Sequence, residues 1–289
     1  MIGPMTSTVT FAERAEVEAA LDDPGLVPPA PPASIGEGAT ARLRAAMARF
    51  GSGPDHAERR GAVVAALGKL VPADLRAAAA RLTASRLTGG RIDAIADLGL
   101  CVPIRVLAAA LDPSVAAGDV DDVDRLADDV RRVVEVIGHG EPADALTDAA
   151  ADRLLRRFAN HPAGAVPVVS ILYQAHDATS ALLATTIVAR HTAAARRSAV
   201  SRTLRTAVAD TVVAGTPVAI GTRVVLDLDA TALELGAGPH RCPGFDIAGA
   251  LVDGIVDTLD ARRYELLADE VPLADQPPTL LPIAPTGSG

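Results

Sequence analysis

The feature that most constrains the fold of this 289-residue chain is a glycine-rich segment that places a cysteine just before an apolar helix. Residues 235–245 read Leu-Gly-Ala-Gly-Pro-His-Arg-Cys-Pro-Gly-Phe. The residues that follow predict a helix with one apolar stripe, at Ile247, Leu251, Ile255 and Leu259. Free backbone N–H groups and the helix dipole at such an N-terminus stabilise a thiolate at Cys242. The pattern indicates a metal ligand or a nucleophile, and the alternative is a small buried cysteine in a turn.

The composition favours helices over strands. Hydrophobic residues make up 49% of the chain, but aromatic residues only 2%, so the core must consist of Ala, Val, Leu and Ile. Long runs of Ala, Leu and Arg favour helix because these residues lose little conformational freedom there. Such a hydrophobic content also argues against a disordered chain.

Charge and cysteine content exclude several classes of protein. With 27 Lys+Arg against 36 Asp+Glu, the net charge is -9, and nucleic acid or an anionic membrane surface would need a basic face. Two cysteines, Cys101 and Cys242, are too few for a disulfide scaffold or for a zinc site with several cysteines. The first residues lack a secretory signal pattern, and the longest apolar stretch, 163–175, is short for a membrane span. We therefore expect a cytoplasmic protein.

The order of patterns predicts one mainly helical domain over residues 1–289, with a small β part. A strand and a helix are predicted within 8–21, and short strands joined by glycine turns follow Asp210. Asp55 is the predicted N-cap of the third helix. The other predicted helices span 40–50, 56–70, 72–88, 91–111 with a new start at Pro103, 120–136, 142–158 and 167–191, the last of them long and buried.

The cysteine segment resembles the heme-binding loop of the cytochrome P-450 family, Phe-Gly-x-Gly-x-His-x-Cys-x-Gly. Every fixed position matches except the first, where Leu235 replaces Phe. The resemblance implies that Cys242 is the thiolate ligand of the iron of heme b (iron protoporphyrin IX) and that His240 contacts a heme propionate. It also makes Gly236 and Gly244 part of the cofactor-binding loop.

Two further segments resemble propionate-binding parts of the same family. His56 and Arg60 lie four residues apart, on one helix face, as in the His-x-x-x-Arg helix start of the family. Arg205 begins Arg-Thr-Ala-Val-Ala-Asp, which resembles the Arg-x-Ala-x-x-Asp strand. Cationic side chains suit this role because propionates are anions in a largely apolar slot.

The long helix resembles the oxygen-activating helix of the family, Ala-Gly-x-Asp/Glu-Thr. Asp177 matches the acid, but Ala178 stands at the Thr position and Gln174 where an Ala normally lies over the iron. The resemblance implies that Asp177 feeds protons to bound dioxygen, with Thr179 as a substitute alcohol turned about 100° round the helix. Gln174 is expected to hydrogen-bond a bound ligand or a neighbouring backbone group, and His176 is a candidate acid or base.

One family pattern is absent from the sequence. No Glu-x-x-Arg occurs in the chain, whereas the family uses that pair to bind an arginine before the cysteine. Losing one partner of a buried charge pair alone would cost on the order of 3–5 kcal/mol, so both ends should be missing together. We interpret the chain as a compact member without this helix and the meander segment, and a homodimer would cover the core that this exposes.

The resemblance implies a heme-dependent oxidoreductase of monooxygenase type. It would oxidise a small organic, biosynthetic substrate with dioxygen and electrons from a ferredoxin-type partner. The altered Gln174 and Ala178 positions favour an alternative that avoids the full oxygen cycle: peroxide-driven oxidation, or a dehydration, rearrangement or cyclisation with iron as Lewis acid. A second alternative is a non-catalytic heme sensor or partner subunit.

Overall fold

The structure is a computed structural model that describes residues 7–116, 120–192, 197–271 and 277–286. Most of these residues are helical, as predicted. The helices are α1 (Arg14–Asp22), α2 (Ala39–Ala46), α3 (Gly53–Leu67), α4 (Pro72–Arg86), α5 (Val102–Leu111), α6 (Pro113–Ala116), α7 (Val120–Ile137), α8 (Ala145–Arg157), α9 (Ala165–His191) and α10 (Phe245–Ala261).

The strands form a small β part beside the helices. They are β1 (Thr8–Phe11), β2 (Leu26–Val27), β3 (Ile92–Asp93), β4 (Arg202–Ala207), β5 (Thr211–Val213), β6 (Thr216–Val218), β7 (Arg223–Asp227), β8 (Tyr264–Leu266) and β9 (Pro282–Pro285). One sheet has the order β1-β7-β4-β2, with β1 parallel to β7 and the other pairs antiparallel. A second has the order β3-β9-β8, and β5 and β6 form a hairpin.

Helix α9 lies at the centre of the helical part, packed against α3, α5, α7, α8 and α10. It buries 14 of its 27 residues, because only Asp177 and Arg190 among them carry a full charge at neutral pH. Pro167 is tolerated in its first turn, where no intrahelical N–H bond is lost. A second, smaller core lies under the four-stranded sheet and contains Phe11, Val17, Leu226 and other aliphatic residues. The buried helix predicted at 167–191 is confirmed.

Three local predictions were wrong. The third helix begins after Ser52, so Asp55 lies in its first turn rather than at the N-cap, because Pro54 already fits the helical start. The helix predicted over 40–50 ends at Ala46 and continues as a 3₁₀ turn, Ala48–Phe50. Residues 92–93 pair with β9, and a π-helical turn, Ala94–Gly99, follows before α5.

The stretch Ala94–Leu111 is long and apolar enough to cross a membrane by length and composition alone. However, 61% of it is buried inside the fold. We therefore assign this stretch to the helical core.

Candidate functional site

The cysteine segment folds into a tight loop at the start of α10. A 3₁₀ turn, Gly238–His240, precedes Cys242, whose N–H donates a 2.7 Å hydrogen bond to the carbonyl of Leu235. A Cβ on Gly238 would lie 1.9 Å from Asp22 Oδ1, and its φ of +58° also favours glycine. The loop therefore packs closely against α1 and leaves Cys242 exposed, just before the N-cap of α10.

Two histidines predicted from separate segments stack on each other beside this loop. The rings of His56, on α3, and His240 have centroids 4.1 Å apart and planes inclined by 27°. Arg60, one turn further along α3, donates a 2.5 Å hydrogen bond to the carbonyl of Arg241. These contacts join α3 to the loop and line a groove of about 380 Å³ between them, which Gly238 and Pro239 complete.

Arg205 on β4 belongs to the same cluster. Its side chain is buried, and one guanidinium nitrogen, Nη1, donates to Thr203 Oγ1 and to the carbonyl of Leu204. Its Nε has no hydrogen-bond partner. Burial, and next the positive charge of Arg49, lower the pKa of Arg205 to about 10. The fold thus holds this cation in a place that disfavours its charge.

The electrostatics of the whole cluster favour binding of an anion. Burial first, and then Arg205, His56, Arg60 and Arg49, lower the pKa of His240 to about 4. The pKa of His56 is also lowered, by burial, Arg60 and Arg205. Every charge acting on these groups is positive, so a bound carboxylate would satisfy cations that the described residues leave without a counter-charge.

Arg49, which no sequence motif marks, lies in the 3₁₀ turn Ala48–Phe50. Its position has no fixed spacing to the cysteine or to His56. The only signal in the sequence is a basic residue two positions before the glycine-rich break that leads into α3. Its charge acts on both Arg205 and His240, so we add it to the basic cluster, defined as Arg49, His56, Arg60, Arg205 and His240.

Asp177, in the middle of α9, lies between two histidines. Its Oδ1 is 2.7 Å from His176 Nδ1, and its Oδ2 is 2.7 Å from His139 Nε2. Burial alone would raise the pKa of Asp177, but hydrogen bonds and charge from His176 and His139 outweigh burial and lower it. His139 follows the end of α7 and was missed, because no sequence pattern links it to α9.

The other two predicted residues of α9 have different surroundings. Gln174 Nε2 donates a 3.3 Å hydrogen bond to the carbonyl of Ser170, which is the backbone alternative considered for it. Thr179 is buried, whereas Asp177 and Ala178 are exposed. Asp177 and Thr179 are two residues apart, which separates them by about 200° of rotation about the helix axis. The structure therefore does not bring them together.

Tyr173 links the basic cluster to Asp177. It precedes Asp177 by one turn of α9, and its ring packs against Phe50, with centroids 6.1 Å apart. Burial chiefly raises its pKa, which Arg49 lowers and Asp177 raises. Since Arg49 acts on both Tyr173 and His240, the two groups of titratable residues face the same region of the molecule.

Comparisons with protein families and with curated proteins find no match. Comparison with solved structures does. A cytochrome P-450, BioI, in complex with an acyl carrier protein ligated to hexadec-9Z-enoic acid has a TM-score of 0.72 at 16% identity, over 95% of this chain and 91% of that one.

Two more structures are similar. The cytochrome P-450 CxnD, for C–S bond formation in chuangxinmycin biosynthesis, has a TM-score of 0.70 at 17% identity, over 98% of this chain and 89% of that one. The open form of the cytochrome P-450 EryK from S. erythraea has a TM-score of 0.69 at 17% identity, over 98% and 92% of the two chains. The chain therefore has the fold of the cytochromes P-450.

Proposed function

We propose that the chain is a heme-thiolate enzyme that oxidises a small organic substrate, with Cys242 as the axial ligand of heme b. One observation carries this proposal: the basic cluster beside the cysteine loop holds a buried Arg205 whose Nε lacks a partner. Heme b presents two carboxylates at one edge of an apolar plate. The cluster offers these carboxylates arginine cations that have no counter-charge among the described residues, and the loop beside it carries the exposed thiol of Cys242.

The donor set also fits a metal that brings most of its own ligands. Among residues 7–116, 120–192, 197–271 and 277–286, no three His, Cys, Asp or Glu side chains are grouped to hold a metal ion. Cys242 alone would therefore be a single protein ligand. A porphyrin iron needs no more than that from one side.

Each residue of the site has a defined task in this proposal. His56, Arg60, Arg205 and His240, with Arg49, bind the propionates, and Gly236 and Gly244 shape the loop. When bound, a thiolate-ligated heme supplies the chemistry of dioxygen activation. Asp177 and His176 hold and move protons on the α9 side, and Gln174 adds a polar amide to the same helix, whereas the structure keeps Thr179 away from Asp177.

The second candidate function is heme chemistry without the full oxygen cycle, either peroxide-driven or Lewis-acid in type. Two observations favour it: Thr179 is buried away from Asp177, and the amide of Gln174 is bonded to its own helix. Both weaken an acid–alcohol proton relay. Dependence of turnover on NAD(P)H and redox proteins separates the candidates, because only the oxygenase needs them.

Substrate, partner and location are proposed from the neighbours and the composition. One similar protein was solved in complex with an acyl carrier protein and another forms a C–S bond in chuangxinmycin biosynthesis, so a biosynthetic intermediate is the substrate we propose. A ferredoxin-type protein would supply electrons to the oxygenase form. We propose a cytoplasmic location, with no nucleic acid or membrane as partner, in line with the net charge of -9.

The absorption spectrum of the purified protein tests the proposal. We expect the ferrous-CO form to show the red-shifted Soret band of thiolate-ligated heme, and Cys242→Ser to lose it. Cys101→Ser is the matched control and should keep the band, since Cys101 lies in the helical part, just before α5. Protein that takes up no heme on reconstitution, or a band that survives in Cys242→Ser, would contradict the assignment.

A further inference from the structure

Three side chains, His139, Asp177 and His176, form what we call the His-Asp-His unit. It connects the surface of the molecule to the buried face of α9. The side chain of His139 is 55% exposed and that of His176 only 6%. Asp177, at 48%, lies between them and gives one carboxylate oxygen to each ring at 2.7 Å. The arrangement therefore runs from solvent to a buried imidazole through one carboxylate.

Glycine at position 138 brings the end of α7 close enough for this contact. A Cβ there would lie 2.9 Å from the carbonyl of Val134 and 3.3 Å from Tyr173 Oη. Gly140, with a φ of +80°, then turns the chain away. The two glycines flank His139, and Gly138 places the end of α7 beside Tyr173 of α9, so the local backbone favours the contact of His139 with Asp177.

The protonation state of the unit follows from the carboxylate. Hydrogen bonds from both rings outweigh burial and lower the pKa of Asp177, so at neutral pH it is ionised and accepts only. Each ring must then donate: His176 through Nδ1–H and His139 through Nε2–H. In this tautomer the lone pair of His176 is on Nε2, in a side chain that is only 6% exposed.

Other charged groups do not replace the two histidines as partners of Asp177. Among the residues that the structure describes, the charges that act on it are those of His176, on its own helix, and His139, from the end of α7. Tyr173 lies one turn earlier on α9, and the charge of Asp177 helps to raise its pKa. Burial is the main cause of the raised pKa and keeps Tyr173 neutral. Arg44 and Arg49 face Tyr173 from the other side, next to the ring of Phe50.

We propose that His139 is a positioning residue: it holds one oxygen of Asp177 so that the other oxygen fixes His176 as the Nδ1–H tautomer, with Nε2 free to take up or release a proton. The reaction that uses this proton rests on the proposed function, but the tautomer does not. Without His139, the half-exposed carboxylate would turn to solvent and release His176. An Asp-oriented imidazole with a free Nε2 is a common arrangement for acid–base catalysis.

Imidazole ¹⁵N NMR of the full chain tests the tautomer, with the protein reduced and CO-bound where it carries heme. Near neutral pH we expect His176 as Nδ1–H in the wild type and in His139→Gln, whose amide can still donate to Asp177. In His139→Ala we expect a mixture of tautomers. His191→Gln removes an exposed histidine from the same helix and should leave His176 unchanged. His176 as Nε2–H in the wild type, or an unchanged tautomer in His139→Ala, overturns the proposal.

Turnover of the reconstituted enzyme tests the consequence. We expect His139→Ala to reduce turnover about 10-fold, the lower end of what is typical when the outer partner of a functional histidine is removed. His139→Gln should keep most of the activity, and the pH profile should shift in His139→Ala only. Equal turnover and an equal pH profile in all three proteins overturn the proposal. If the heme spectrum is absent, the proposed function fails while the tautomer measurement still decides the role of His139.

Discussion

Arg205 has opposite effects on the stability of the fold and on its capacity to bind an anion. Its guanidinium is buried, and its pKa is lowered to about 10 by burial and by Arg49. Without a carboxylate partner, a buried cation of this kind destabilises the folded state, whereas an anion bound beside it removes that cost. The residue is therefore best explained by a ligand.

Substitution of Arg205 should move stability and affinity in opposite directions. In Arg205→Met, we expect the heme-free protein to be as stable as the wild type or more so, since a buried, poorly paired charge is replaced by an apolar side chain. Heme affinity should fall by roughly 10- to 100-fold, because a hydrogen bond to a charged group contributes about 1.5–3 kcal/mol. Chemical unfolding and heme titration measure the two effects.

Arg202→Met is the matched control for Arg205→Met. Arg202 lies on the same strand, but its side chain is 62% exposed and 3.9 Å from Asp227, so neither quantity should change by much. Heme affinity that is equal in Arg205→Met and in the wild type would contradict the role given to Arg205.

The candidate site residues predicted from the sequence share one property: each belongs to a contiguous motif. His56, Arg60, Arg205 and His240 were predicted in this way, and the structure brings all four together. Arg49 and His139 lie outside any motif, and their roles depend on which distant helix packs against them. Such contacts between distant parts of the chain carry no local signal, so a single sequence could not reveal them.

At the scale of elements, the position of the cysteine loop depends on how closely α10 packs against α4. A Cβ on Gly254 of α10 would lie 2.3 Å from the carbonyl of Arg76 and 3.0 Å from Ala79 Cβ. The backbones of the two helices thus meet directly at this point. By contrast, a Cβ on Gly249, on the same helix, would contact nothing within 4 Å.

These two glycines of α10 give a matched pair of substitutions. We expect Gly254→Ala to lower the free energy of unfolding by about 1–3 kcal/mol, because the helices must move apart. Gly249→Ala should raise it by about 0.5–1 kcal/mol, since alanine restricts the unfolded chain and fits the helix. Urea unfolding of both variants checks the prediction, and a Gly254→Ala protein as stable as Gly249→Ala would contradict this description of the packing.

The elements that were predicted well are those in which the pattern of apolar residues extends over many positions. The helix predicted at 167–191 and the stripe of α10 both follow from many apolar residues at helical spacing. The strand at residues 92–93 was not predicted, because it pairs with β9, almost two hundred residues later. Asp93 then caps the π-helical turn Ala94–Gly99 by accepting a hydrogen bond from Ile95 N–H.

At the scale of the molecule, the mainly helical fold of the cytochromes P-450 is confirmed by the structural neighbours. The family resemblance predicted that fold from short motifs, and the low aromatic content agreed with it. That residues 1–289 form one domain, and that the chain forms a homodimer, stay predictions. The absence of Glu-x-x-Arg is a fact of the sequence, and the chain reaches the fold without that pair.

The stability of the heme-free molecule should fall as the pH decreases below about 6.5. The pKa of His56 is lowered in the folded state by burial, Arg60 and Arg205, whereas an unfolded histidine titrates near 6.5. Below that pH the unfolded chain takes up a proton that the folded chain resists, so the free energy of unfolding decreases. Above it, the contribution of His56 is complete. Urea unfolding between about pH 7.5 and 5 measures the slope.

Two variants identify the source of that slope. His56→Gln should have a shallower pH dependence than the wild type, because it removes one of the groups that resist protonation. His191→Gln, at the exposed end of α9, should follow the wild type. Identical slopes for the wild type and His56→Gln would show that His56 is not responsible.

The parallel pairing of β1 with β7 determines when the first sheet can form during synthesis of the chain. The first strand leaves the ribosome more than two hundred residues before its partner. At about 5–20 residues per second, the nascent chain therefore waits on the order of tens of seconds with Thr8–Phe11 unpaired. The cysteine loop follows β7 directly, so the thiol and the last strand of the first sheet emerge together. The proposed heme can therefore bind between α3, β4 and the cysteine loop only after the residues up to this loop have been synthesised.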